Sequence, residues 1–418
     1  MATATEVIET PSASRWTPTV RGWTARLVVL FGIFAAVILI TATVPQYWAD
    51  RIALAVIYAI IGLSLNIVLG YVGQVSLGHH GFVGIAAFIA AYYVSEKAGC
   101  GGDGCNFAAF STAMVLAAAS GALAAGLLGL VALRIRGLYL ALITLAYGFM
   151  AETSIFEIPF LTRSGAGMPA VRPDGFTSDR AFAFLTFFFL AGVLYLDWRL
   201  LKSKAGRAIL SLKHSEPVAM SYGINVTAFK TFAFVLSGMF AGIAGGLFAF
   251  QSTNVVSNNF NFNVALLWVL MVVIGGLGNR TGVVIGSMFF ALFPFLVELS
   301  SSLEHFVKET MGRDPSYFSL VLGAGLAVLT IIQFPGGIAE QISPITRWLR
   351  GEKFSMHPEG HGKRPKSEKR KALLERFKRA EHTQDDTPTD GEAATASSPA
   401  TAPTGEMPAA TAEKETQS

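Results

Sequence analysis

Residues Gly62–Phe88 read GLSLNIVLGYVGQVSLGHHGFVGIAAF. The stretch joins two apolar runs, Ile52–Val72 and Val75–Val94, each close to the ~20 residues a helix needs to cross a ~30 Å hydrocarbon core. It puts Asn66, Gln74, Ser76, His79 and His80 at a membrane-depth turn among Gly70, Gly73, Gly78, Gly81 and Gly84. Lipid-exposed backbone must satisfy its own hydrogen bonds, so such runs are helices. Polar groups at membrane depth are costly and face a cavity or another helix. Glycines let backbones approach, and they let a helix break and free its amides and carbonyls for a solute. Two readings stand side by side. Either the small residues pack helices and Asn66 bonds a neighbour, or Asn66, Gln74, Ser76 and His79 line a pathway, His79 foremost.

Outward from this stretch the same pattern repeats. Apolar runs at Ala25–Val44, Ser111–Leu133, Gly137–Ile158, Ala181–Trp198, Thr227–Phe250, Val264–Leu277, Val283–Ser302 and Phe318–Phe334 bring the count to about ten transmembrane helices. The fold class expected is all-α, a polytopic membrane bundle. Val75–Val94 and Val264–Leu277 are rich in glycine and flanked by it, so either is a candidate for a broken or re-entrant span. The first run is read as a span rather than a cleaved leader, since no small-residue cleavage site follows it before the next span.

Composition agrees. The 418 residues are 52% hydrophobic and 14% charged, against about 25% charged in soluble domains. A soluble enzyme, a secreted disulfide scaffold and a disordered chain are excluded as the main body. The charge is uneven: Pro344–Ser418 holds 13 Lys/Arg and 12 Asp/Glu. The expected organisation is a disordered cytoplasmic N-terminus (1–24), a transmembrane domain (25–335), a basic juxtamembrane segment (336–380) and a disordered low-complexity tail (381–418). The basic part of the tail suits anionic membrane lipids. The net charge of +4 is no nucleic-acid footprint, because the basic residues are not gathered on a folded domain.

The positive-inside rule orients the bundle. With the N-terminus inside, and leaving out the tail, 11 Lys/Arg fall in inside segments and 7 in outside loops. Both termini are then cytoplasmic. Cys100 and Cys105 fall together in an outside loop. Their spacing permits a disulfide in an oxidising compartment, with two free thiols as the alternative. Two thiols without a nearby His or second Cys pair are half a zinc site, so no metal is expected.

Three further stretches carry chemistry. In Arg134–Glu157, Thr144, Glu152 and Glu157 lie on an otherwise apolar helix; Glu157 is placed at the outer interface, and Glu152 either lines a pathway or pairs with Arg163. In the long inside loop Arg199–Asn225, Ser215-Glu216-Pro217 has the form of a capped helix start and Gly223 of its stop. Val218, Ala219 and Met220 give that short helix an apolar face, which reads as a docking element; a solvated loop is the alternative. In Met271–Gly286, Gly275, Gly276, Gly278, Gly282 and Gly286 interrupt a span, either as a discontinuous helix of the transporter kind or as a tight turn anchored by Arg280. No phosphate-binding Gly-Lys-Ser/Thr loop, His-Glu-x-x-His or nucleophile elbow occurs, so no catalytic residue is assigned.

At these four stretches the sequence resembles the LivM branch of the LivH/LivM family, the branched-chain amino acid ABC transporter permeases, which also includes urea and short-amide permeases. Gly62, Leu65, Asn66, Ile67, Gly70, Tyr71, Gly73, Ser76, Leu77, Gly78, His79, Phe82, Gly84 and Ile85 match one block of its pattern. Leu133, Arg134, Arg136, Gly137, Tyr139, Ala141, Thr144 and Leu145 match a second, Gly206 through Gly245 a third, and Met271, Gly275, Gly276, Gly278, Gly282 and Gly286 a fourth. The likeness spans about residues 50–335. His80-Gly81 and Ala86-Ala87 depart from it, and the tail is long.

The resemblance implies a permease subunit of a bacterial inner-membrane importer with a type II ABC importer-like fold. It implies a second related permease, two ATP-binding cassette ATPase subunits and a periplasmic solute-binding protein as partners. ATP and Mg would be used by those ATPases, with no cofactor in this chain. Ser215, Glu216, Pro217, Ala219 and Gly223 would belong to the ATPase-coupling helix. Asn66, Gln74, Ser76, His79, Thr144, Glu152, Gly275, Gly276 and Gly278 would lie along the translocation path. Two other classes compete: an ion-coupled secondary transporter, which would want more deep ionisable residues than Glu152, Glu298 and the two histidines, and a membrane scaffold or sensor that signals through its tail.

Overall fold

The computed structural model describes residues 45–100, 105–132, 138–163 and 166–299, with isolated positions at 325, 337 and 338. The expected spans Ala25–Val44 and Phe318–Phe334, the N-terminal segment and the tail lie outside the described residues.

Helix α1 (Gln46–Leu65) continues as a π-helical segment, Asn66–Val72, and stops at Gly73, whose φ of +77° belongs to the left-handed region. A non-helical break at 74–78 leads into α2 (His79–Tyr92), which ends in a second π turn, Tyr93–Lys97. Then come α3 (Phe107–Ala132), α4 (Leu138–Thr153), a 3-10 turn (Ile155–Glu157), the short α5 (Pro159–Thr162) and a two-residue strand β1 (Met168–Pro169). The second half holds α6 (Asp179–Lys202), α7 (Lys204–His214), α8 (Glu216–Ser221), α9 (Val226–Ser252), β2 (Asn254–Val255), a 3-10 turn (Ser257–Phe260), α10 (Phe262–Gly275) and α11 (Arg280–Leu299).

Among the described residues six helical stretches are long and apolar enough to cross a membrane. Val75–Val94 is helical only from His79, because the glycine-flanked residues before it form the break. The all-α expectation is amended by one detail. β1 and β2 form an antiparallel ladder in which Met168 faces Val255 and Pro169 faces Asn254. It is made where Thr253, at a φ of +59°, turns the chain out of α9.

Burial separates the centre from the rim. The apolar window of α1 and its π extension is 83% buried, against 33% for α4 and 39% for α3 and for α6. Helix α1 packs against α6, α9 and α11, and α9 packs against α1, α2 and α3. Lipid tails are as apolar as leucine, so close backbone contact rather than water expulsion holds such helices together. Small residues permit it here. A Cβ on Gly121 of α3 would stand 2.3 Å from the carbonyl oxygen of Gly238 on α9, and one on Gly242 would stand 2.2 Å from that of Ala117. The opposite face of α3 exposes Val115, Leu123, Leu127 and Leu130, as a lipid-facing surface does.

One end of the bundle is tied by charge. Arg172 bonds Asp50 at 3.1 Å and Asp179 at 2.5 Å, and Gln251 Nε2 donates to Asp50 at 3.2 Å. Cys100 and Cys105 form a disulfide, which resolves the open choice between a bond and free thiols. The Cys105 N–H donates to Asp174 Oδ1 at 3.1 Å, and the Asp174 N–H returns a bond to the Cys105 carbonyl at 2.8 Å.

Candidate functional site

The break at 73–78 is surrounded by buried polar groups. His79, in the first turn of α2, is 1% exposed, and its Nε2 lies 2.6 Å from Ser64 Oγ on α1. Ser64 Oγ donates to the Ser237 carbonyl on α9 at 2.6 Å, and Ser237 Oγ donates back to the Ser64 carbonyl at 2.8 Å. With the Ser64 proton so committed, Nε2–H is the donor to Ser64, and Nδ1 has no hydrogen-bond partner among the described residues. Thr144 of α4 accepts from the Leu77 N–H at 3.0 Å, which pins α4 to the break. His80 packs against Gly148, where a Cβ would stand 2.3 Å from its ring. Among the described residues, Ser76 Oγ, Tyr147 Oη and Glu152 Oε2 are buried without hydrogen-bond partners. Gln74 is nearly buried. Arg163 bonds Ser95 and Glu96, not the Glu152 considered above.

A second cluster joins the π segment to the turn between α10 and α11. Gly276 and Gly278 hold φ of +107° and +85° there. Asn66 Oδ1 accepts from the Gly278 N–H at 2.8 Å. Lys213 Nζ, from α7, donates to the Gly70 carbonyl at 2.7 Å. Tyr71 donates to Asp197 Oδ2 at 3.1 Å, and Arg280 Nε lies 3.3 Å from the same oxygen. Asp197 is wholly buried near the end of α6. Gly275 packs backbone to backbone against Gly282 and Val283.

The third element is a chain of capped helices. Ser203 caps α7, accepting from the Gly206 N–H at 3.0 Å; Ser215 caps α8, accepting from Val218; Asn225 caps α9, accepting from Ala228 at 3.1 Å. Pro217 stands in the first turn of α8, where no intrahelical N–H is needed. Gly223, at φ +76°, ends it, and the Ile224 N–H returns to the Ala219 carbonyl at 3.2 Å. Glu216 pairs with Lys230 of α9. Ala219 faces inward at 1% exposure, whereas Val218, Met220 and Tyr222 are exposed at 55%, 45% and 82%. The expected apolar face therefore lacks Ala219 and gains Tyr222.

Tyr71, Lys230 and Ser237 stand out in the sequence only within matching family blocks, and Asp197, Lys213 and Ser64 carry no site signal of their own beyond residue type. The signal for Asp197 is that it is a lone carboxylate in the apolar run Ala181–Trp198. The others find their partners only through the fold.

The family described as "Branched-chain amino acid transport system / permease component" matches residues 47–330, a range that contains all three clusters. This chain belongs to that family. The permease is 30% identical over 331 residues to the high-affinity branched-chain amino acid transport system permease protein LivM of Salmonella typhimurium, covering 72% of each chain. It is 29% identical over 330 residues to the Escherichia coli K12 protein of the same name, again over 72% of each. A more distant relative, the autoinducer 2 import system permease protein LsrC of Escherichia coli, is 26% identical over 165 residues, 39% of this chain and 44% of the relative. Among solved structures, PsaBC from Streptococcus pneumoniae in complex with Fab overlaps 71% of the permease and 95% of its own chain, at a TM-score of 0.36 and 14% identity. Family and spans together make the permease a multi-pass membrane protein.

Proposed function

We propose that the permease imports branched-chain or related amino acids across a bacterial inner membrane as one subunit of an ATP-binding cassette transporter. Its partners are a second related permease, two ATPase subunits that use ATP and Mg, and a periplasmic binding protein. Both termini lie in the cytoplasm. The observation that carries the reading is α8: six residues, capped at both ends, with Val218 and Met220, and Tyr222 directly after it, turned outward. Exposed apolar side chains on a rigid stub suit a groove in a partner protein. The Glu216–Lys230 pair roots the stub in α9, so a push on α8 reaches the spans. The polar groups at 73–80, Thr144 and Glu152 suit a path for a small polar solute. The chain's own contribution is binding and leverage, with no covalent step.

Reconstitution tests this. The complete set of subunits in liposomes, with ATP inside and loaded binding protein outside, takes up radiolabelled leucine, isoleucine or valine, and excess unlabelled leucine competes. Uptake of urea but of none of these amino acids contradicts the solute assignment.

A further inference from the structure

Lys213 offers more than loop charge. A lysine at the end of an amphipathic helix can send its ammonium to water along its flexible stem. This one is exposed along its stem, yet its ammonium is fixed on the protein, donating at 2.7 Å to the Gly70 carbonyl, 143 residues earlier in the chain. That carbonyl lies in the last turns of the π segment, where the regular bonding fails: the Gln74 N–H passes over it and bonds Val68 at 3.0 Å. A π turn holds one extra residue, and its termination leaves carbonyls to be satisfied from outside.

The same spot is where the second broken element arrives. A Cβ on Gly278 would stand 3.3 Å from the Gly70 oxygen and 3.6 Å from Lys213 Nζ. Asn66, one turn back in the π segment, holds the Gly278 N–H. Asp197 clamps both elements from the α6 side, through Tyr71 and Arg280. On the other side, Lys213 is the penultimate residue of α7, and Ser215, the cap of α8, follows two positions later. Ile209 and Leu212 seat α7 on the bundle.

We propose that Lys213 is a positioning residue for transport, a strut that makes the π segment of α1 and the Gly276–Arg280 turn follow every displacement of α7 and α8. The inference rests on the reading of the chain as an ATP-driven permease. Without the strut α8 still docks and ATP is still hydrolysed, but the pathway elements stay behind.

The test uses the complete transporter in liposomes and measures solute carried per ATP hydrolysed. Lys213→Met keeps the ATPase rate with loaded binding protein within about twofold of wild type and lowers uptake about tenfold, the weight of one charge-assisted hydrogen bond. Lys213→Arg restores the ratio. A ratio equal to wild type in Lys213→Met overturns the proposal. If that variant does not assemble, Lys213→Gln is read the same way: a reduced ratio supports the strut and an unchanged one overturns it. Wild-type liposomes that show no ATP-dependent uptake would instead overturn the importer reading, which separates the two failures.

Discussion

Gly70 shows how little room the centre of the molecule has. A Cβ there would stand 2.1 Å from Asn66 Oδ1 and 2.6 Å from the Gly278 nitrogen. Gly70→Ala therefore breaks the Asn66–Gly278 bond or forces the two elements apart, at a cost of about 1–3 kcal/mol as overpacking usually gives. The detergent-solubilised protein should lose thermal stability, with a lower midpoint in a fluorescence-detected size-exclusion assay. An unchanged midpoint would mean that the segment relaxes freely. The sequence marks Asn66 and Gly278 separately as candidates for one path. It holds no sign that one bonds the other, because 212 residues separate them. Lys213 is a stronger case. By sequence it is one of several basic residues in a loop, and only the fold brings it to Gly70.

Local elements are more legible, because their rules are local. Ser215, Pro217 and Gly223 define α8 by capping chemistry alone, and the structure has that helix at Glu216–Ser221. The helix before it, α7, is not anticipated, although Ser203 and the spacing of Ile209 and Leu212 on its buried face are its signals. Which way α8 presents its side chains depends on α9 and Lys230, so the outward position of Tyr222 is not readable in advance. The combined variant V218A/M220A/Y222A removes the exposed apolar surface and leaves the Ser215 cap, Gly223 and the Glu216–Lys230 pair alone. It should reach the membrane at wild-type levels, lose copurification with the ATPase subunits and take up no solute. Full copurification would remove α8 from the docking surface.

For the whole molecule, hydropathy gives the bundle and small residues give its close contacts. Gly238 and Gly242 read as packing residues in any apolar helix, and their partner across the interface proves to be α3. Orientation rests on the distribution of basic residues, and the disulfide loop offers a direct check. Cys100 and Cys105 are bonded, and Cys105 exchanges hydrogen bonds with Asp174, two residues after Arg172. In intact spheroplasts a membrane-impermeant maleimide should label the chain only after mild reduction. Labelling that requires membrane permeabilisation would invert the assigned topology.

On the proposed function, this chain moves solute only when partner ATPases drive it. The most direct test of this compares two liposome preparations in one uptake experiment. The chain reconstituted alone, under an imposed proton or sodium gradient, should carry no leucine, and the chain with its partner permease, ATPases, binding protein and ATP should carry it. Gradient-driven uptake by the chain alone, with no gain from ATP and the partners, would contradict an ATP-driven permease.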